Sequence, residues 1–180
     1  MLRLGIAHHF GWAVAVVASA DSFEVVDRRR IELVEPGTPV APIHTDGVSL
    51  DDAACARLVA DVRASARRAT SAALDSLPSD IVSISLRAWD DDFPTDIAVL
   101  RQVPWEARAD SVMYREVLAE CARERGWDLC FFDAKGVESA AATVLGARAD
   151  DVLTGPRARL GPPWAKDHRL ALAAIVLASG

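Results

Sequence analysis

The first 34 residues constrain the fold most, because they contain three strand-like stretches separated by very short connections. Residues 2–8 (LRLGIAH) and 12–18 (WAVAVVA) are apolar stretches of strand length, with a break at Gly11 between them. The turn sequence SADS leads to a third predicted strand over 23–34, which has a polar middle. Connections this short join antiparallel neighbours, so the chain is expected to begin with a three-stranded antiparallel ribbon.

The remaining sequence alternates between helical and strand patterns. A segment rich in proline and glycine (35–47) predicts a loop, and a long helix is then expected from a Ser49 cap to Pro78. A second good helix is predicted from a cap at Asp110 or Ser111 to about Arg125. The other predicted elements are strands over 81–87 and 127–133, small helices over 95–101 and 137–146, a loop over 147–163, and a last helix from about Trp164 to Ala178.

These elements follow the order βββ-α-β-α-β-α-α. Crossovers through helices favour parallel strand pairing with right-handed connections. The sequence therefore predicts an α/β fold with a five-stranded mixed sheet and helices on both faces. A length of 180 residues fits one domain over 1–180.

Charge and cysteine content narrow the class of protein. The net charge of −6 argues against a broad nucleic-acid surface, although residues 148–169 are mildly basic, with five Lys or Arg against three Asp. Cys55, Cys121 and Cys130 show no CxxC spacing, so we expect buried free thiols and a cytoplasmic protein. No apolar segment reaches the roughly 20 residues that a membrane span needs.

The order and length of the elements resemble the ribonuclease H-like superfamily, which includes RNase H, Holliday-junction resolvases and retroviral-type integrases. The resemblance extends over nearly the whole chain. It implies the sheet order 3-2-1-4-5, with strand 1 in the centre and strand 2 antiparallel. In nuclease members, acidic residues gather at the ends of strands 1 and 4 and on the last helix. Such residues hold two Mg²⁺ ions about 4 Å apart, because Mg²⁺ prefers carboxylate oxygens.

This chain departs from that acidic pattern. Ala7 or His8 stands at the strand-1 position, and Arg87 is the last residue of strand 4. On the last helix, Arg169 stands where the resolvase-like pattern has an acid. Asp167 is the one acid near the start of that helix.

The resemblance nevertheless implies that His8, Asp90, Asp167 and His168 converge, and we treat them as candidate catalytic residues. His8, Asp90 and Asp167 are the candidate metal ligands. A divalent metal is the expected cofactor, and a mixed His/Asp set suits Zn²⁺ or Mn²⁺ better than Mg²⁺. Glu106 is a reserve candidate for the missing acid.

Structural roles are the alternative for each of these residues. His8 fits a histidine hydrogen-bonded at the end of the sheet, on the same strand face as Leu4 and Ile6. Asp167 fits the charge preference of a helix N-terminus. Asp90 belongs to a run of three aspartates that fits a solvated loop.

Two functions remain open, so whether the chain is an enzyme is undecided at this point. The missing strand-1 acid and the negative charge favour a non-catalytic scaffold or partner-binding module. The basic segment supports the alternative, a divergent metal-dependent nuclease acting on DNA or RNA. The expected partner is an unknown protein or a nucleic acid, and a homodimer through the edge of strand 3 or 5 is a further option.

Overall fold

A computed structural model describes residues 1–178. The strands are β1 (Leu2–His8), β2 (Trp12–Ser19), β3 (Val25–Glu32), β4 (Ile81–Arg87) and β5 (Asp128–Phe132). The α-helices are α1 (Asp52–Asp75), α2 (Ile97–Leu100), α3 (Glu106–Glu124), α4 (Val137–Leu145), α5 (Ala149–Leu153), α6 (Pro156–Leu160) and α7 (Lys166–Leu177).

The five strands form one mixed sheet in the order β3-β2-β1-β4-β5. β1 pairs antiparallel with β2, in a register that runs from Leu2–Ser19 to His8–Ala13. β1 pairs parallel with β4, and β4 pairs parallel with β5. The predicted fold class, strand order and central position of β1 are therefore confirmed.

Helices cover both faces of the sheet, because alternate side chains of each strand point to opposite sides. On one face, Leu4 and Ile6 of β1 belong to an apolar core that is completed by α1 and α3. On the other face, Ala7 of β1 and Val16 of β2 belong to a second core, with α4 and α7.

Helix α7 approaches the sheet closely at Gly5, in the middle of β1. A Cβ atom at this position would lie 2.0 Å from the backbone oxygen of Ala171 in α7. Only glycine fits here, and its small size lets α7 pack directly on the backbone of the central strand.

The loop between β3 and α1 is held to α3 by buried polar side chains. Asp110 accepts backbone hydrogen bonds from Ile43 at 3.0 Å and from His44 at 2.9 Å. The Tyr114 hydroxyl donates to the Val40 carbonyl at 2.9 Å. The prediction of α3 starting at Asp110 or Ser111 was wrong, because the helix already begins at Glu106 and the Asp110 carboxylate is used by the loop.

Three other boundaries differ from the sequence prediction. Asp51, and not Ser49, caps α1, because its Oδ1 accepts from the Ala54 backbone at 2.7 Å. The predicted loop over 147–163 contains α5 and α6. The last helix begins at Lys166, since Trp164 is held outside it by a hydrogen bond from Nε1 to the Leu153 carbonyl at 2.8 Å.

The three cysteines are free thiols; the prediction that they are buried holds for Cys55 and Cys121, whereas Cys130 is half-buried. Within the part of the chain described here, no helix has both the length and the apolar character for crossing a bilayer.

Candidate functional site at the end of the central strand

A small cleft lies where the carboxyl ends of β1 and β4 meet the first turn of α7. Its volume is about 90 Å³, and the polar side chains that line it are those of His8, His9, Arg87 and Asp167. The cleft exists because β1 and β4 are parallel neighbours that end at the same edge of the sheet. Of the predicted site residues, His8 and Asp167 line this cleft.

His8 is the last residue of β1, and its half-buried ring points toward α3. Its Nε2 lies 2.8 Å from the Ser111 hydroxyl oxygen. Burial lowers the pKa of His8 to about 3, and the positive charges of Arg115 and Arg87 lower it further. The imidazole is therefore neutral at physiological pH, with one nitrogen already occupied by Ser111.

His9 points to the opposite side and contacts Asp167. Its Nε2 donates to the Asp167 carboxylate over 3.0 Å, and its ring stacks on Trp12 with a centroid distance of 4.1 Å. The tight turn that places both rings is closed by a hydrogen bond from the His9 N–H to the Trp12 carbonyl, with Gly11 at φ 76°. His9 was not among the predicted site residues.

Asp90 lies outside the cleft. Its Oδ2 accepts a hydrogen bond from Nη2 of Arg108 over 2.8 Å. Both side chains are about half exposed. Asp90 therefore forms a surface ion pair with α3 and does not meet Asp167.

His168 also lies outside the cleft, because its ring turns into the apolar layer under α7 and is 6% exposed. Its Nδ1 accepts from the Ala165 backbone N–H at 3.3 Å, which caps the first turn of α7. Its ring lies 5.4 Å from that of Trp164. Burial lowers the pKa of His168, and Arg28 adds to this effect.

Arginines surround the end of β4. Arg87 is exposed, and within residues 1–178 its guanidinium makes no hydrogen bond or ion pair. Arg115 of α3 is only 4% exposed, and it donates to the carbonyls of Ser111, Arg87 and Ala88. Burial lowers the pKa of Arg115 to about 10, and repulsion from Arg87 and Arg108 contributes.

Sequence reasoning missed Arg115, although one signal was present. Arg115 lies three residues after Val112 and three before Leu118, both of which are buried on the core-facing side of α3. A charged residue on such an apolar stripe is unusual and points to a specific role for its guanidinium.

The residues present do not fit a metal centre. In the chain as far as Ala178, no group of three or more His, Cys, Asp or Glu side chains is placed to hold a metal ion. Glu106 lies outside the cleft, at the start of α3, where its carboxylate accepts a hydrogen bond from the Ala107 backbone. A pair of divalent ions needs several carboxylates in one place, and the cleft has one.

Two solved structures of RuvC from Thermus thermophilus have a fold similar to that of this chain. The RuvC structure of T. thermophilus in complex with a Holliday junction substrate matches with a TM-score of 0.53 and 15% identity. That match covers 99% of this chain and 93% of the RuvC chain. A second Thermus thermophilus RuvC structure matches with a TM-score of 0.51 and 14% identity, covering 99% and 94%.

No family model matches this chain, and no curated protein matches it. At 14–15% identity, the structural similarity establishes the fold. The chain therefore has the ribonuclease H-like fold that the resemblance implied.

Proposed function

We propose that this chain is a non-catalytic ribonuclease H-like domain that works by binding a partner. One observation carries the proposal: both candidate acids are already paired with a basic side chain. Asp167 accepts from His9, and Asp90 accepts from Arg108. A basic side chain at one carboxylate oxygen makes each of these acids a weaker ligand for a further cation.

The charge around the cleft supports the same conclusion. Nuclease members of the superfamily carry acidic residues at the ends of strands 1 and 4, where this chain has His8 and Arg87. The buried Arg115 adds a second positive charge close to β4. Cationic side chains near the cleft disfavour the binding of divalent metal ions by electrostatic repulsion.

The competing function is a divergent metal-dependent nuclease with Asp167, Asp90 and His8 at its centre. The fold supports it, and the cleft lies at the end of β1. One similar structure is a complex with a Holliday junction substrate, so branched DNA belongs among the first substrates to test. The proposal predicts that such DNA is not cleaved.

A cleavage assay separates the two functions. Fluorescent single strands, duplexes and four-way junctions are incubated with the purified chain and Mg²⁺ or Mn²⁺, with EDTA as the control. We expect no metal-dependent product. Metal-dependent cleavage that is lost in Asp167→Asn would overturn the proposal, provided that the matched variant Asp91→Asn, at an exposed acid outside the cleft, keeps full cleavage.

A further inference from the structure

Three arginines gather near the end of β4. Arg87, Arg108 and Arg115 are close enough for the first two to lower the pKa of the third. Asp90 forms an ion pair with Arg108 alone. The buried Arg115 donates its hydrogen bonds to carbonyl oxygens, and Asp90 and Glu116 offset part of its positive charge.

Arg87 is the one of these three that lines the cleft. Its backbone is fixed from two sides, by pairing with Phe132 in β5 and by the hydrogen bond from Arg115 to the Arg87 carbonyl. Its guanidinium is exposed, without a hydrogen-bond acceptor in the described chain. A guanidinium presents a planar set of donors that matches the oxygens of a phosphate or carboxylate.

The size of the cleft limits what it can hold. The cleft is small, with a volume of about 90 Å³, and it has room for a group of the size of a phosphate. The ring of His8 lies on the cleft wall and is neutral, so it does not repel an anion.

We propose that this cleft binds a phosphate group directly, through the Arg87 guanidinium and without a metal ion. This inference rests on the proposed function, which it extends by naming the chemistry of the bound group. The ligand is a phosphate ester or free phosphate, and the bound form stays intact.

The effect of substituting Asp167 on phosphate affinity distinguishes this proposal from a metal site. Asp167 is the only carboxylate among the residues that line the cleft, and it is tied to His9 at 3.0 Å. A carboxylate repels a phosphate group, so Asp167→Asn should strengthen phosphate binding. In a metal-dependent site the same substitution would weaken binding, because it would remove a ligand of the metal.

The test is an NMR titration with inorganic phosphate in the presence of EDTA, at constant ionic strength maintained with chloride. The signals followed are the Nε–Hε group of Arg87 and the ring of His9. We expect saturable shifts at both, and a loss of affinity of roughly 10-fold or more in Arg87→Gln. Arg57→Gln, at an exposed arginine of α1 that makes no hydrogen bond or ion pair within the described chain, should bind as the wild type does.

A second arm distinguishes the source of the phosphate. A fluorescent single-stranded oligonucleotide is titrated by anisotropy in EDTA with the same three variants. Binding of the oligonucleotide that weakens in Arg87→Gln assigns the site to a phosphodiester. Binding of inorganic phosphate with no Arg87-dependent oligonucleotide binding assigns it to a phosphate monoester or free phosphate.

The inference is wrong if neither probe shifts the Arg87 signal, if Arg87→Gln binds both probes unchanged, or if binding needs a divalent metal. These outcomes differ from failure of the proposed function, which would appear as metal-dependent cleavage. A chain that cleaves nothing and binds no phosphate would keep the proposed function and lose the phosphate site. Circular dichroism of each variant confirms that its fold is retained.

Discussion

The ring of His8 lies 2.8 Å from the hydroxyl of Ser111, which joins the end of the central strand to the second turn of α3. The end of β1, where nuclease members of the superfamily carry an acid, is therefore occupied by a neutral imidazole that contacts α3. The contact with Ser111 also explains why His8 faces away from Asp167, which is contacted by His9 instead.

Acid is expected to destabilise the protein through His8. Its folded-state pKa of about 3 is below the ordinary value of 6.5, so the unfolded chain binds the proton more tightly. The contribution of His8 to the free energy of unfolding is fully present above pH 6.5 and is lost as the pH falls toward 3. The slope of this loss is up to about 1.4 kcal/mol per pH unit. The lowered pKa of His168 adds to the same trend.

Urea denaturation at pH 7 and pH 5 measures this dependence, with tryptophan fluorescence as the probe. The free energy of unfolding should fall between the two pH values by less in His8→Gln than in the wild type. An equal fall in both proteins would show that His8 is not the titrating group.

Gly5→Ala should destabilise the fold strongly, because the added methyl group would lie 2.0 Å from the Ala171 oxygen. Overpacking of this kind costs about 1–3 kcal/mol or more, since strand and helix must separate. Gly37→Ala is the comparison, as nothing lies within 4 Å of a Cβ there and the cost is confined to its φ of 83°. Thermal denaturation of both variants is the measurement, and a smaller loss in Gly5→Ala would contradict the packing argument.

Asp110→Ala should destabilise the loop between β3 and α1. The substitution leaves the buried backbone N–H of Ile43 without a partner, together with that of His44, at a cost of about 1–3 kcal/mol. Hydrogen exchange should show faster exchange at these two amides and little change in β1. As a control, Asp51→Ala removes an exposed helix cap and should cost about 1 kcal/mol without affecting the two loop amides.

Divalent metals should not stabilise the protein. A metal present at 100 times its dissociation constant would add about 2.7 kcal/mol to the free energy of unfolding, which is easily seen in a melting curve. We therefore expect the same melting temperature in EDTA and in millimolar Mg²⁺, Mn²⁺ or Zn²⁺. An increase that disappears in Asp167→Asn would indicate a metal site that involves this carboxylate.

The sequence was sufficient to predict the strands: β1, β2 and β4 have apolar or alternating patterns of strand length, and β3, despite its polar middle, follows β2 after a short turn. The central place of β1 followed from the resemblance to a known family. The start of α3 was missed because Asp110 resembles a helix cap, while its actual partners, Ile43 and His44, lie 67 and 66 residues away in the chain. Local propensity carries no information about such a distant contact.

The candidate site was harder to predict than the fold. Which acid pairs with which base depends on tertiary contacts, such as that between His9 and Asp167, which are 158 residues apart. The direction of the His168 ring could not be predicted either, because the sequence does not show which face of the first turn of α7 is buried. The sequence showed that Arg87 departs from the acidic pattern. Its role could be inferred only once the structure gave the positions of Arg108 and Arg115.

The contact between Gly5 and Ala171 also sets the alignment of the cleft. His9 follows Gly5 by four residues, and Asp167 precedes Ala171 by four. The contact between strand and helix therefore fixes the positions of both His9 and Asp167. Inserting one residue between Asp167 and Ala171 would rotate Asp167 by about 100° around the helix axis and separate it from His9. The geometry of the cleft therefore depends on the backbone contact between Gly5 and Ala171, which lies one helical turn from Asp167.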